Sequence, residues 1–130
     1  MSKELARRFV DALHALEEGG SEDALVDLFT ERCEVANRST TKVFRGKEGA
    51  RQFWRDYAEL FDKIHSEFKS IIASGDRIAL EWRSTGVLRN GQKVDYEGVS
   101  VLYLDDDRIA RFTAYFDPTE LPISEPAGRG

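Results

Sequence analysis

Few residues in this 130-residue chain are of a type that does chemistry, and fewer are spaced for it. Cys33 is the only cysteine, which excludes an internal disulfide and a multi-cysteine metal site. No histidine is placed to activate it, so it reads as a small buried hydrophobe. His14 and His65 are the only histidines; they are too few and too far apart in the sequence to predict a zinc centre, and each reads as a surface or strand-edge residue. The run Asp105-Asp106-Asp107 lacks the glycine and distal glutamate of a calcium loop and reads as a solvated turn. No metal and no other cofactor is expected. What remains is a set of bulky aromatics, Trp54, Tyr57, Trp82, Tyr96, Phe112 and Phe116, with three small polar residues, Asn37, Ser84 and Ser100. An apolar wall with a few hydrogen-bonding groups is the composition of a ligand pocket. The predicted function is the holding of a small, largely apolar molecule. The alternative is an isomerase, cyclase or dehydratase; it needs a base in the same hollow, and the carboxylates in range are Glu81, Glu97 and Asp117.

Composition narrows the partners. The net charge is −5 and no Lys/Arg stripe is present, so nucleic acid is not an expected partner. Hydrophobic content of 41% and charged content of 33% are those of a globular protein. No stretch is long and apolar enough to span a bilayer, and the first residues lack the apolar run of a signal peptide, so the expected location is cytoplasmic with no membrane contact. The length predicts one domain over 1–120, with 121–130 a disordered tail.

The elements that must position the aromatics follow from periodicity. Leu5, Phe9, Ala12, Leu13 and Leu16 predict an amphipathic helix over 3–18, closed by Gly19-Gly20. Ser21 stands at an N-cap position before a short helix carrying Ala24, Leu25, Leu28 and Phe29. A strand is expected around Cys33 to Asn37, then a polar loop over 38–42 and a short strand at Val43-Phe44. Gly46 opens a third helix, whose stripe runs Ala50, Phe53, Trp54, Tyr57, Ala58, Phe61. Phe53 and Phe61 read as plain core. Trp54 and Tyr57 have polar tips that need partners when buried, which suits a cavity wall.

From Ile64 to Asp117 four long strands alternate, with turns at Gly75-Asp76, Asn90-Gly91 and Asp105–Asp107. Asn90-Gly91 predicts a type I′ hairpin turn. Strands of this length must bend, with Gly86 and Gly98 as expected bend points. Leu80, Trp82, Ser84, Tyr96, Gly98, Ser100, Leu102, Phe112, Ala114 and Phe116 share one face by period two. Ser84 and Ser100 would bond a ligand or each other. Glu81, Arg83, Glu97 and Arg111 share the other face, where an ion network is expected; a slip of one residue would turn the first three inward. The whole is an α+β chain: three N-terminal helices packed into a strongly bent mixed, mainly antiparallel sheet, a cone with an open mouth.

Several phrases within this order resemble the nuclear transport factor 2-like superfamily and its SnoaL-like branch (polyketide cyclase and ketosteroid isomerase-like proteins). They are Phe-Arg-Gly-Lys-Glu-Gly-Ala at 44–50, Gly-Asp-Arg-Ile-Ala-Leu-Glu-Trp at 75–82, Ser-Thr-Gly at 84–86 and Arg-Ile-Ala-Arg-Phe-Thr-Ala-Tyr-Phe-Asp-Pro at 108–118. The resemblance implies a cystatin-like cone and a homodimer formed through the outer sheet face. Function does not follow from such a fold. The positions that carry the steroid isomerases' base and oxyanion donors become Asn37, Leu13 and Ser100, and their buttressing tyrosines become Phe29 and Trp54. The arginine and aspartates of the epoxide hydrolases become Trp82, Ser84 and Ala114, with only an asparagine retained near Asn37. Both catalytic sets are therefore absent from this reading.

Overall fold

A computed structural model describes residues 2–37 and 42–117. The expected polar loop falls mostly, and the expected tail wholly, outside the described residues.

Helix α1, Ser2–Glu17, buries Leu5, Ala6, Phe9, Ala12, Leu13 and Leu16, the stripe predicted by its spacing. It stops at Gly19, whose φ of 101° only glycine adopts without strain. Ser21 Oγ accepts the Asp23 N–H at 3.0 Å and starts α2, a single turn over Asp23–Val26. Glu22 ties α2 to α3 (Gly46–Leu60) through Arg51 at 2.6 Å and Arg55 at 2.9 Å. Helix α3 is one residue shorter than its aromatic stripe. Phe61 has extended backbone, φ −110° and ψ 142°, and begins the next strand while remaining buried.

The strands are β1 (Phe29–Asn37), β2 (Val43–Arg45), β3 (Phe61–Ser74), β4 (Arg77–Leu88), β5 (Lys93–Asp105) and β6 (Arg108–Phe116). They form one six-stranded sheet in the order β2-β1-β6-β5-β4-β3, with β1 and β6 parallel and the other pairs antiparallel. The α+β architecture is as predicted: three helices and a curved, mostly antiparallel open sheet. Breaks in register lie in β3, between Phe61 and Lys63 and between Phe68 and Ser70, and between Tyr103 and Leu104 on β5. The predicted bend points serve close approach instead. A Cβ on Gly86 would lie 2.0 Å from the Lys63 carbonyl oxygen, beside the first irregularity of β3. One on Gly98 would lie 2.6 Å from the Trp82 ring, so the missing side chain is what seats the indole.

The predicted faces hold. Leu80, Trp82, Ser84, Tyr96, Ser100, Leu102, Phe112 and Ala114 are buried beneath the helices. Glu81, Arg83 and Glu97 are exposed on the other face and do not converge. Nor do they form the expected network with Arg111: Arg83 grips Asp95 at 2.7 and 2.8 Å, Lys69 approaches Glu97 at 3.8 Å, and Arg111 lies over Tyr103 at 4.8 Å. Asp95 sits across the strand pair from Thr85, one step from Arg83, within reach of a long guanidinium side chain.

The Asn90-Gly91 turn departs from type I′. That turn needs positive φ at both central residues, and here only Gly91 has it, at 91°. The loop spans four residues, closed by Gly91 N–H to Leu88 O at 2.9 Å and Leu88 N–H to Gln92 O at 2.8 Å. Asn90 contributes its side chain, accepting the Gln92 N–H at 2.9 Å. Among the described residues no helix is long and apolar enough to cross a membrane.

Candidate functional site

Between the concave sheet face and helices α1 and α3 lies a cavity of about 410 Å³. At the packing density of protein interiors, such a space takes on the order of fifteen non-hydrogen atoms. Its wall is built in rows that cross the sheet. Ser66, Ser84 and Tyr96 are successive partners on β3, β4 and β5. Leu80, Ser100, Ala114 and Asn37 follow each other across β4, β5, β6 and β1. Trp82, Gly98 and Phe116 make a third row.

Trp54 and Tyr57 from α3 reach the same cavity, as do Trp82 and Ser84 from β4, Tyr96 and Ser100 from β5, Phe112 and Phe116 from β6, and Asn37 at the end of β1. All the residues proposed from the sequence as ligand contacts thus line one cavity, from its sheet side and its helix side. Phe53 and Phe61, read as plain core, also line it. Leu13, Ser100, Trp82, Ser84 and Ala114 are there too, so the substituted catalytic positions of the two enzyme groups do face the hollow. Glu81, Glu97 and Asp117 are exposed and absent from the lining. None of the three carboxylates proposed from the sequence as a base therefore lies in the lining. Among the described residues the one carboxylate in the lining is Asp56, an exposed residue accepting from the Gln52 amide at 2.7 Å.

Ser84 and Ser100 do not bond each other. Ser100 Oγ accepts the Trp82 indole N–H at 2.9 Å, and Ser84 Oγ lies 2.7 Å from Ser66 Oγ. Ser84 and Ser100 sit in different rows, whereas Ser66 and Ser84 are direct partners.

Sequence reading missed the centre of this polar row. Glu17, in the last turn of α1, accepts the Tyr57 phenol at 2.6 Å, the Ser66 hydroxyl at 2.6 Å and the Ser66 backbone N–H at 2.9 Å. One turn earlier, His14 Nε2 donates to the Ser66 carbonyl at 2.7 Å. β3 is the outermost strand on that side. Its outward-pointing amide and carbonyl at Ser66 are therefore met by two side chains of α1, which supply what another strand would. His65 stacks on His14 with ring centroids 5.2 Å apart. The two histidines distant in sequence are neighbours in space, because α1 lies along β3. Ligand atoms of His14, Glu17 and His65 fall within 4.8 Å of one another. Since Glu17 and His14 are already engaged by Ser66 and Tyr57, this cluster reads as an edge clamp. The available signals were Glu17 four residues beyond Leu13, on the buried stripe of α1, and Ser66 two residues beyond Ile64, on the inner face of β3.

Burial and the Glu17 carboxylate push the Tyr57 phenol well above its ordinary value, and burial first, then Glu17, pushes Tyr96 up as well. Both stay neutral in the working range. Burial also raises the Cys33 thiol, consistent with a packing role. The tyrosines carry a pH prediction. Unfolded phenols ionise near 10.0, below their folded values, so above that pH the folded chain holds more protons than the unfolded one. Stability is then full below pH ~10 and declines above it, by roughly 1.4 kcal/mol per pH unit for each phenol. Denaturant midpoints across an alkaline pH series, read beside phenolate absorbance, check this: Tyr57 and Tyr96 are expected to ionise only as the chain unfolds.

The Trp54 indole N–H is the single buried side-chain polar atom without a partner among the described residues. Trp54 is 2% exposed and forms part of the cavity wall. An orphaned buried donor costs on the order of 1–3 kcal/mol, so an acceptor placed against it would stabilise the chain.

The sequence profile of the SnoaL-like domain family matches residues 6–112. A candidate SnoaL-like polyketide cyclase from Jannaschia sp. is 21% identical and superposes with a TM-score of 0.81, over 94% of this chain and 89% of its own. An NTF2-like protein from Anabaena variabilis is 18% identical with a TM-score of 0.80, over 89% of each chain. A protein with a ketosteroid isomerase-like fold from Catenulispora acidiphila, solved with trimethylamine, is 16% identical with a TM-score of 0.77, over 86% of this chain and 87% of its own. At these identities the likeness is one of fold. The chain matches no curated protein by sequence.

Proposed function

We propose, for a chain that belongs to the SnoaL-like domain family, that the cavity binds a small, largely apolar molecule carrying a hydrogen-bond acceptor. The observation that carries this reading is the unpartnered Trp54 N–H in an otherwise aromatic wall. A carbonyl or ether oxygen would satisfy it, while the apolar body of the ligand covers the rings. Asn37, at the end of β1, and the outer polar row orient the guest. The bound species is a homodimer paired through the outer sheet face, where the cross-strand neighbours Val99 and Tyr115 are both exposed.

The test is a melting-temperature screen with cyclic ketones and matched hydrocarbons. Ligand at about a hundred times its Kd adds roughly 2.7 kcal/mol. Trp54→Phe is expected to weaken ketone binding by about tenfold relative to hydrocarbon binding, as the hydrogen bond is lost while an aromatic face remains. If no apolar compound raises the melting temperature, the reading fails. A second guest chemistry, an alkylammonium held by cation–π contact, is favoured by the number of rings around the cavity and by the trimethylamine of the Catenulispora relative. Trimethylamine in the same screen separates the two.

A further inference from the structure

Hydrogen-bond direction in the polar row adds a second requirement on the ligand, one that rests on the binding reading above. Glu17 is acceptor-only when ionised. The Tyr57 hydroxyl spends its proton on Glu17, and so does Ser66 Oγ. Ser66 then has no proton left for Ser84, so in the 2.7 Å contact between them Ser84 is the donor. Each of these hydroxyl protons thus runs toward one carboxylate, from Ser84 to Ser66 to Glu17, with Tyr57 joining directly. Tyr57, Ser66 and Ser84 all line the cavity, and what they have left to offer it is lone pairs.

We infer that this end of the cavity selects a ligand bearing a hydrogen-bond donor, a phenol or alcohol hydroxyl, whose proton is received by the Tyr57 or Ser84 oxygen. The ligand class is therefore a compact ring system with a hydroxyl at the β3–β4 end, opposed to an isosteric ether or ketone there. An ether oxygen at that end would face lone pairs with no proton between them, and a buried polar group left unmatched loses its hydration without return.

The experiment compares 2-naphthol, 2-methoxynaphthalene and naphthalene by calorimetry on the full chain. The naphthol is expected to bind about tenfold or more tightly than the methyl ether. Ser84→Ala and Tyr57→Phe each remove one of the two accepting oxygens, so the preference for the naphthol is expected to shrink in at least one of them. A mere loss of packing would weaken all three compounds alike. Equal affinity of naphthol and ether in the native chain overturns the inference while leaving the binding reading intact. An unchanged preference in both Ser84→Ala and Tyr57→Phe overturns it as well. If none of the three binds, both fall together.

Discussion

Phe112→Ala is expected to lower stability by about 3–5 kcal/mol, the range for removing a buried aromatic side chain. Phe112 is 4% exposed and stands where helices and sheet meet. Its ring packs against Phe9 at 5.6 Å, Trp54 at 5.2 Å and Phe53 at 6.0 Å between centroids. On its strand it is the partner of Leu102 on one side and Val35 on the other. Removing the ring takes contacts from both helices at once and merges the vacated space with the existing cavity. Urea midpoints measure the loss. If the variant still folds, its hollow is larger, and bulkier guests should bind it better than they bind the native chain. A cost below about 1 kcal/mol would mean that the helices are not held by this aromatic cluster.

Glu17→Ala is expected to cost about 3 kcal/mol, since it strands two hydroxyl donors and one strand-edge amide together. The figure exceeds that of a surface carboxylate because Ser66, which gives Glu17 two of its three hydrogen bonds, is enclosed at 3% exposed. Glu17→Gln separates charge from contact. It keeps one acceptor oxygen, so it should lose less stability. It also removes the negative charge that disfavours phenolate at Tyr57 and Tyr96, so both phenols should ionise at lower pH than in the native chain. Chemical denaturation gives the first effect and phenolate absorbance the second. A Glu17→Gln chain with an unshifted phenol titration would show that the carboxylate does not govern the row.

What the sequence made legible was periodicity. The buried stripe of α1 and the inner faces of β4, β5 and β6 could be read because alternation and helical spacing report directly on burial. Trp82, Ser84, Tyr96, Ser100 and Phe112 followed from that alone. What stayed hidden depended on how one element lies against another. Glu17 and Ser66 are unremarkable in sequence and become a pair only because α1 runs along the free edge of β3. The same docking stacks His14 on His65. The partner choice of Ser84 needed cross-strand register, which places it beside Ser66 and leaves Ser100 to Trp82. The turn at Asn90-Gly91 was misread because asparagine has two ways to make a turn. Here it uses its side chain and leaves positive φ to the glycine.

The chain has two tryptophans, Trp54 and Trp82, and both line the cavity, so its own emission reports on occupancy. The most direct measurement is a fluorescence titration of the folded chain with a cyclic ketone of about ten to fifteen non-hydrogen atoms, sized to a hollow of about 410 Å³. A saturable change in emission at one ligand per chain, with its midpoint moved to higher ketone concentration in Trp54→Phe, where Trp82 still reports, is the predicted result. Emission that stays constant up to the solubility limit, with the fold intact, would mean that no small apolar molecule enters beneath the helices.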